Sequence, residues 1–209
     1  DPVFLEIAEQ VLQESEHTFG KIDRSILFPM ADHIAFAVKR IQNGEQISNP
    51  LTGDIRALFH MEYKTAECII PILKERLQAE IDEHEVGYIA LHIHSAIEDE
   101  NVALSMQIAR TVRECIQLVE AETGASIDMM SLSYNRLMNH VRYMVARSIK
   151  GEKLKLDMND YMSVKFPDEF QMASTVCGHL EKNLKKPLDP VEIGYLAMHI
   201  QRVSAEQEM

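Results

Sequence analysis

Apolar residues recur along this chain at the three- and four-residue spacing of an amphipathic α-helix. In residues 3–14 the apolar positions that follow this period are Val3, Phe4, Ile7, Ala8, Val11 and Leu12. A second helical pattern starts after Asp23, whose carboxylate suits an N-cap, and ends at Asn43 and Gly44. Pro29 lies inside this second pattern and predicts a bend there.

Three further helices are predicted before the middle of the chain. A short one is expected over residues 55–59 and a longer one over residues 63–77, where Pro71 predicts a kink or an early end. The last helix begins with the D-x-x-E spacing of a capping box, formed by Asp82 and Glu85. Because no stretch shows a convincing two-residue strand period, the pattern predicts a small bundle of five helices.

The second half of the chain repeats the first. With an offset of 107, residues 33–93 align with residues 140–200 without a gap, and 17 of the 61 pairs are identical. The clearest match is EVGYIALHI at 85–93 against EIGYLAMHI at 192–200. Further identical pairs are Val38/Val145, Arg40/Arg147, Gly44/Gly151, Phe59/Phe166, Glu62/Glu169, Ala66/Ala173, Leu73/Leu180 and Asp82/Asp189. The chain is therefore interpreted as a tandem duplication.

Each copy holds roughly a hundred residues, which is enough for a domain that folds on its own. The fold class is thus predicted to be all-α, with two tandem five-helix bundles over residues 1–103 and 104–209. The join is placed in the charged segment 98–104, EDENVAL. In the second copy, Asp189 and Glu192 repeat the capping box of the last helix.

Composition agrees with helices and restricts the possible partners. The 209 residues are 46% hydrophobic with only 8 Gly and 7 Pro, which favours helices around a substantial core. The formal net charge is −12. An acidic surface repels phosphate backbones, so direct contact of this segment with DNA or RNA is not expected.

Cysteine usage and hydropathy bear on the compartment. Cys68, Cys115 and Cys177 are odd in number and lack metal-site spacing, which is typical of a reducing cytosol. No apolar run approaches membrane-spanning length and no cationic leader precedes an apolar core, so a cytoplasmic protein without membrane insertion is expected. Because the chain starts at Asp1 rather than Met, we expect a further segment upstream.

Two histidine positions recur in both copies. Of the nine histidines, the recurring ones are His33/His140 and His92/His199. A histidine on an apolar helix is commonly a half-buried residue that bonds to a neighbour. Most surface residues differ between the copies, however, so the recurrence of both pairs favours a chemical role. On the last helix His92 borders the apolar face, in one stripe with Glu85 and Tyr88.

An arginine accompanies the first histidine of each copy. His33 shares a helix face with Arg40, as His140 does with Arg147, two turns apart. A guanidinium in that place is suited to support an anion on the imidazole, although a solvated surface arginine gives the same pattern. Neutral imidazole takes a phosphoryl group, acts as a general base or binds a metal.

The sequence gives little support to metal or enzyme chemistry. A metal site needs three or four converging ligands. The only close pair, His92 and His94, is not repeated, because Gln201 replaces His94 in the second copy. No nucleophile elbow, P-loop or dinucleotide-binding fingerprint is present. We therefore expect no enzyme, no bound metal and no other cofactor.

The two copies resemble PTS regulation domains, the paired regulatory modules of bacterial sugar-operon transcription antiterminators. The resemblance rests on a first histidine in DHIAFAVKR or NHVRYMVAR and a second in GYIALHI or GYLAMHI, and it covers essentially the whole chain. The stretches LHIHSA and SLSYNRLMNHVRYMVAR are most similar to the glucose-operon subtype. One departure is Asn139, which stands where the first copy has Asp32.

The resemblance implies that phosphoryl groups are accepted from the carrier HPr and from sugar-specific enzyme II at His33, His92, His140 and His199. It further implies that phosphorylation sets homodimerisation. An N-terminal RNA-binding domain outside this chain would then bind an mRNA hairpin and prevent termination. A phosphoryl group at a subunit interface either repels the phosphoryl group of the other subunit or binds an arginine. Arg40 and Arg147 are the candidates for that arginine.

Two other functions stay open at this point. The same modules would suit a DNA-binding operon activator, which would carry an upstream helix-turn-helix and an ATPase domain. A short, basic, β-rich upstream segment would instead indicate the antiterminator. The third hypothesis is a metal-dependent helical hydrolase, which would hold stoichiometric metal and lose it when His92 is replaced.

Overall fold

The computed structural model describes residues 1–98, 100–124 and 126–207, with the backbone alone at Gln207. The elements are α1 (Pro2–Phe19), a 3-10 turn (Arg24–Ile26), α2 (Leu27–Gln42), α3 (Thr52–Leu58), α4 (His60–Ala66), α5 (Ile69–Leu77), α6 (Glu83–Ile97), α7 (Val102–Thr123), α8 (Leu132–Lys150), α9 (Asn159–Lys165), α10 (Pro167–Leu184) and α11 (Glu192–Gln207). The described residues contain no strand, and the predicted all-α class is confirmed. None of the helices described is both long and apolar enough to cross a membrane.

The chain divides into two compact units, Asp1–Gln107 and Ile108–Met209. The division lies within the first two turns of α7, a few residues after the predicted join. The domain boundary between residues 103 and 104 stays a prediction.

In the first unit, α1 packs on α2 and α4 packs on α6. The side chains on the facing stripes are completely buried, among them Ile7, Val11, Ile34, Ile89 and Ile93. Burial of such side chains is the main favourable contribution to folding. The same packing brings α2 against α6, the two helices that carry the recurring histidines.

In the second unit, α11 packs on α8, α9 and α10. Its completely buried side chains include Leu137 and Val141 on α8, Leu180 on α10, and Leu196 and Ile200 on α11. The contact of α8 with α11 repeats that of α2 with α6. The duplication seen in the sequence is thus a duplication of helix packing.

The helix predicted over residues 63–77 is two helices in the structure. The break lies at Glu67 and Cys68, between α4 and α5. Pro71 is the third residue of α5, where its missing N–H has no intrahelical partner to lose, so the prediction of a kink or end at Pro71 is wrong. In the second unit Gly178 takes the place of Pro71, and α10 runs without a break.

The N-terminal end of the second predicted helix also differs from expectation. Asp23 Oδ1 accepts a hydrogen bond from Ser25 N at 2.9 Å and thereby caps the 3-10 turn, which leads directly into α2. Pro29 is the third residue of α2, where its missing N–H again has no intrahelical partner to lose. The bend predicted at Pro29 is therefore replaced by a change of helix type two residues earlier. The predicted end at Asn43 is confirmed.

Candidate functional site

The two recurring histidines of the first unit lie side by side. His33 on α2 and His92 on α6 have ring centroids 5.4 Å apart. Tyr88, one turn before His92, lies 5.4 Å from the His33 ring. The sequence placed each histidine on its own helix, and the packing of α2 on α6 joins them into one site, which we call the first histidine pair.

The second unit repeats this arrangement. The rings of His140 on α8 and His199 on α11 are stacked with centroids 4.8 Å apart, and Tyr195 lies 6.1 Å from His140. We call His140 and His199 the second histidine pair. Two of the four predicted residues therefore meet in each unit.

A buried carboxylate orients the first histidine pair. Glu85 is 3% exposed, and its Oε1 accepts hydrogen bonds from Arg40 Nη2 at 2.6 Å and Arg40 Nε at 3.1 Å. Its Oε2 lies 3.1 Å from His33 Nε2. Burial raises the pKa of Glu85, but the hydrogen bonds from His33 and Arg40 outweigh burial and leave that pKa below its usual value. Because an ionised carboxylate only accepts, His33 donates from Nε2, and the neutral tautomer that does so has its lone pair on Nδ1.

Glu192 takes the corresponding place in the second unit. It is 3% exposed and is bound in a bidentate manner by Arg147, with Nε–Oε1 at 2.7 Å and Nη2–Oε2 at 2.9 Å. His140 Nε2 lies 3.7 Å from Glu192 Oε2, beyond hydrogen-bond distance, and is buried without a hydrogen-bond partner. The carboxylate here faces the imidazole without binding it.

These contacts correct the predicted capping boxes. Asp82 Oδ1 does accept two backbone N–H groups at the start of α6, each at 3.0 Å. Glu85 and Glu192, however, do not reach back to the caps and bind Arg40 and Arg147 instead. The physical reason is burial, since a carboxylate removed from water needs a cationic partner to remain charged.

The two arginines predicted to support an anion are thus engaged with these carboxylates. The Arg40 side chain is 26% exposed and that of Arg147 is 19% exposed. In the first unit Arg40 acts on His33 through Glu85, whereas in the second unit Glu192 binds Arg147 but not His140. Support of a phosphoryl group by Arg40 or Arg147 stays a prediction.

Burial keeps three of the four imidazoles neutral. Burial, with a contribution from the neighbouring His33, lowers the pKa of His92 from 6.5 to about 4. Burial also lowers the pKa of His140 to about 3 and that of His199 to about 4, with nearby basic groups adding to the effect. A neutral imidazole has one nitrogen with a free lone pair, which is the form that attacks phosphorus.

All four rings are accessible in part. The His33 side chain is 20% exposed and that of His140 is 9% exposed, while His92 and His199 are half-buried. Nδ1 of His92 and of His199 is buried without a hydrogen-bond partner. An incoming group therefore meets these two rings at Nε2. In His33 and His140, Nε2 faces the carboxylate and Nδ1 is the nitrogen left for reaction.

The close pair His92 and His94 forms no joint site. A separation of two residues turns the side chains to different helix faces. His94 is completely buried, with Nδ1 2.9 Å from Glu62 Oε1 and Nε2 3.3 Å from Glu100 Oε2. Within residues 1–98, 100–124 and 126–207, no three His, Cys, Asp or Glu side chains are placed to hold a metal ion.

Sequence reasoning missed four residues of these sites. Glu85 and Glu192 are identical in the repeat, which was the available signal, but their spacing from Asp82 and Asp189 was attributed to capping. Two arginines beside His199 differ between the copies and so gave no repeat signal. They are Arg136 and Arg202.

Each histidine pair lies within a match to a known protein family. The PRD domain model matches residues 5–96 and again residues 113–203. The chain therefore belongs to the PRD domain family and carries two copies of its domain. The predicted resemblance to paired PTS regulation domains of the glucose-operon subtype is confirmed.

Relatives of known designation cover most of the chain. Protein GlcT of Staphylococcus haemolyticus is 29% identical over 202 residues, which are 96% of this chain and 71% of that protein. The glcA/glcB genes antiterminator of Staphylococcus carnosus is 28% identical over 193 residues, or 90% and 66%. The ptsGHI operon antiterminator of Bacillus subtilis is 30% identical over 172 residues, or 81% and 61%. Two of these three relatives are thus designated as antiterminators.

Proposed function

We propose that each unit is a phosphohistidine switch and that the chain is the regulatory part of a transcription antiterminator. The observation that carries this proposal is the histidine pair, present in both units with a buried glutamate and an arginine behind it. A core histidine of purely structural use would be expected to find hydrogen-bond partners. Here His92, His140 and His199 each have a buried ring nitrogen without one.

The chemistry is the transfer of a phosphoryl group from a donor side chain to an imidazole. The lone pair of the acceptor nitrogen forms a bond to phosphorus while the bond from phosphorus to the donor atom breaks, and the electron pair of that bond returns to the donor. The acceptor ring then loses the proton on its other nitrogen and a donor imidazole takes one up, so no net proton is consumed and the reaction is reversible. The donors are HPr and sugar-specific enzyme II, and the acceptors are His33, His92, His140 and His199.

The phosphoryl group acts through its charge. It adds a charge of about −1.5 to −2 and strong acceptor oxygens to a helix-packed site, which shifts the equilibrium of homodimerisation. The dimer then enables an RNA-binding domain upstream of this chain to bind mRNA in the cytoplasm. The designations of the relatives from S. carnosus and B. subtilis favour this antiterminator over a DNA-binding activator.

The test is phosphorylation of the purified chain by HPr, enzyme I and phosphoenolpyruvate. We expect acid-labile phosphate on the wild-type chain, and loss of one labelled position with each single His→Ala substitution at the four sites. His179→Ala is the matched control, because His179 is an exposed histidine of the second unit outside both pairs. Peptide mapping under alkaline conditions locates the phosphate.

Equal labelling of the wild-type chain and of a variant with all four histidines replaced would contradict the assignment of the sites. Elemental analysis of the same preparations addresses the hydrolase hypothesis. Stoichiometric metal that is lost with His92→Ala would favour a metalloenzyme over a switch.

A further inference from the structure

The second histidine pair faces an open pocket of about 440 Å³. The residues that line it are Leu132, Asn135, Arg136, Asn139, His140, Tyr143 and His199. Both rings of the pair thus share the pocket with one guanidinium and two side-chain amides. All of these polar groups except the imidazoles lie on α8, within one or two turns of His140.

Two guanidinium groups act on His199. Arg136 lies one helical turn before His140 on α8, and Arg202 lies three residues after His199 on α11. Both positive charges contribute to the lowered pKa of His199, after burial. Arg136 is exposed and Arg202 is half-buried, and neither makes a hydrogen bond or ion pair with any residue that the structure describes. In contrast to Arg147, which binds Glu192, both guanidiniums are available to an anion, Arg136 in the lining of the pocket and Arg202 outside that lining but within one helical turn of His199.

The equivalent positions of the first unit carry no positive charge. The helices of the two units correspond without gaps around the histidines, so each position has an equivalent. Pro29 stands in place of Arg136, Ser95 in place of Arg202 and Asp32 in place of Asn139. These three positions carry a formal charge of +2 in the second unit and −1 in the first.

The surroundings of His92 add acidic groups. A larger pocket of about 1100 Å³ beside His92 is also lined by Glu98 and Glu100. Asp23 and two cations, Lys21 and Arg24, lie in this lining too, and Arg24 is bound by Glu9 and Glu16. The two histidine pairs thus each bring two rings within 5.4 Å of each other, but the charges around them differ.

We propose that Arg136 and Arg202, with the amides of Asn135 and Asn139, hold a phosphoryl group on His199, and that the first unit lacks such a holding site. This inference rests on the proposed function. The acceptor atom is Nε2, because Nδ1 of His199 is buried. Guanidinium groups form charge-assisted hydrogen bonds to phosphoryl oxygens. They therefore stabilise the phosphorylated state and shift the exchange with HPr towards His199.

The test is the phosphoryl-exchange equilibrium between phosphorylated HPr and the whole chain. Occupancy of each histidine is measured by 1H–31P correlation NMR, with resonances assigned by single His→Ala variants. We expect Arg136→Gln and Arg202→Gln each to lower the equilibrium constant at His199 about tenfold. His92 should be unaffected. Arg110→Gln is the matched control, since it removes an exposed arginine of the same unit outside the pocket.

A substitution that adds an arginine to the first unit provides a complementary test. Ser95→Arg places a guanidinium in the first unit where the second unit has Arg202, and we expect it to raise occupancy at His92. The holding pocket would be overturned if the exchange equilibrium at His199 were unchanged in the variant that combines Arg136→Gln and Arg202→Gln. The proposed function would still stand in that case, provided that the wild-type chain is labelled.

A second measurement does not depend on transfer from HPr. Inorganic phosphate is titrated into the unphosphorylated chain, and the ring resonances of His199 are followed by NMR. We expect a saturable shift in the wild type that is lost in the doubly substituted arginine variant. Equal shifts in both, or none in the wild type, would overturn the pocket. Failure of every histidine to accept phosphate from HPr would instead overturn the proposed function.

Discussion

At the scale of single residues, burial has two effects on the histidine pairs: it keeps imidazoles neutral, and it leaves ring nitrogens without hydrogen-bond partners. Burial keeps His92, His140 and His199 neutral, which preserves a nucleophilic nitrogen. Burial also leaves a ring nitrogen of each without a partner, which costs free energy of folding. A histidine kept only for stability would not be held in this way. The stability lost at these three histidines is what the proposed phosphoryl transfer would require.

The lowered pKa values predict that acid destabilises the chain through these histidines. In the unfolded chain a histidine titrates near 6.5, whereas His140 titrates at about 3 in the folded state. Between these values the unfolded state binds more protons, so stability is full above pH 6.5 and falls as the pH falls. We expect His140→Gln to reduce the loss of unfolding free energy between pH 7 and pH 5 by about 2 kcal/mol.

Urea unfolding followed by circular dichroism at both pH values measures this difference. His179→Gln serves as control, because His179 is exposed in the same unit, and it should keep the pH dependence of the wild type. A pH dependence of His140→Gln equal to that of the wild type would show that His140 is not held neutral by the fold. Protonation of Glu85 contributes only at lower pH, since its pKa lies below its usual value.

At the scale of elements, the repeat supplies matched positions whose surroundings differ. Gly87 on α6 and Gly194 on α11 are equivalent. A Cβ added at Gly87 would meet its nearest neighbour, on Tyr63, at 3.9 Å, an ordinary contact. A Cβ at Gly194 would lie 2.7 Å from Asn159 Oδ1 and 3.0 Å from backbone atoms at the start of α9. Asn159 Oδ1 also accepts the Gly194 N–H at 2.9 Å.

Alanine substitution should therefore have opposite effects at these two glycines. We expect Gly87→Ala to stabilise the chain by about 0.5–1 kcal/mol, because alanine loses less backbone entropy in a helix. We expect Gly194→Ala to destabilise it by about 1–3 kcal/mol, because α9 must move away from α11. Urea unfolding of both variants measures these changes in the free energy of unfolding. Equal and favourable effects would mean that α9 is not held closely against α11.

The sequence predicted the helices correctly where their structure depends only on residues of the same helix. The apolar stripe of α1 and the cap at Asp82 depend on neighbours within the same helix, and both are found. The prediction failed where another helix intervenes. Glu85 has the spacing of a capping box, but α2 supplies Arg40 and His33, which take its carboxylate. The same limit explains why the pairing of histidines between helices was not foreseen.

At the scale of the whole molecule, duplication has produced two units with similar helix packing but different charges around their histidine pairs. The chain has a net charge of −12 before any phosphorylation, so under the proposed function each phosphoryl group would add to an existing repulsion between copies of the chain. In the first unit nothing among the described pocket residues offsets that charge except Lys21 and the already paired Arg24. In the second unit Arg136 and Arg202 neutralise it locally. The two pairs are therefore suited to opposite effects on association.

This contrast predicts different salt dependence of dimerisation for the two pairs. Two variants isolate them, one with His140→Ala and His199→Ala and the other with His33→Ala and His92→Ala. With phosphate on the first pair alone, we expect the dimer dissociation constant to shift about 5–150-fold at low salt. That shift should largely vanish in 1 M salt, where the Debye length is about 3 Å. With phosphate on the second pair alone, the shift should depend less on salt, because Arg136 and Arg202 offset the charge that salt would otherwise screen.

Sedimentation equilibrium of phosphorylated and unphosphorylated samples at both salt concentrations measures four dissociation constants for each of the two variants. A variant with all four histidines replaced controls for direct effects of salt on the dimer and should not respond to HPr. The same salt response for both pairs would show that general repulsion governs association and that the arginines play no part. Unchanged dissociation constants in every sample would mean that the phosphoryl groups act on something other than dimerisation. A shift confined to the first pair would place the control of association in the unit that lacks the holding arginines.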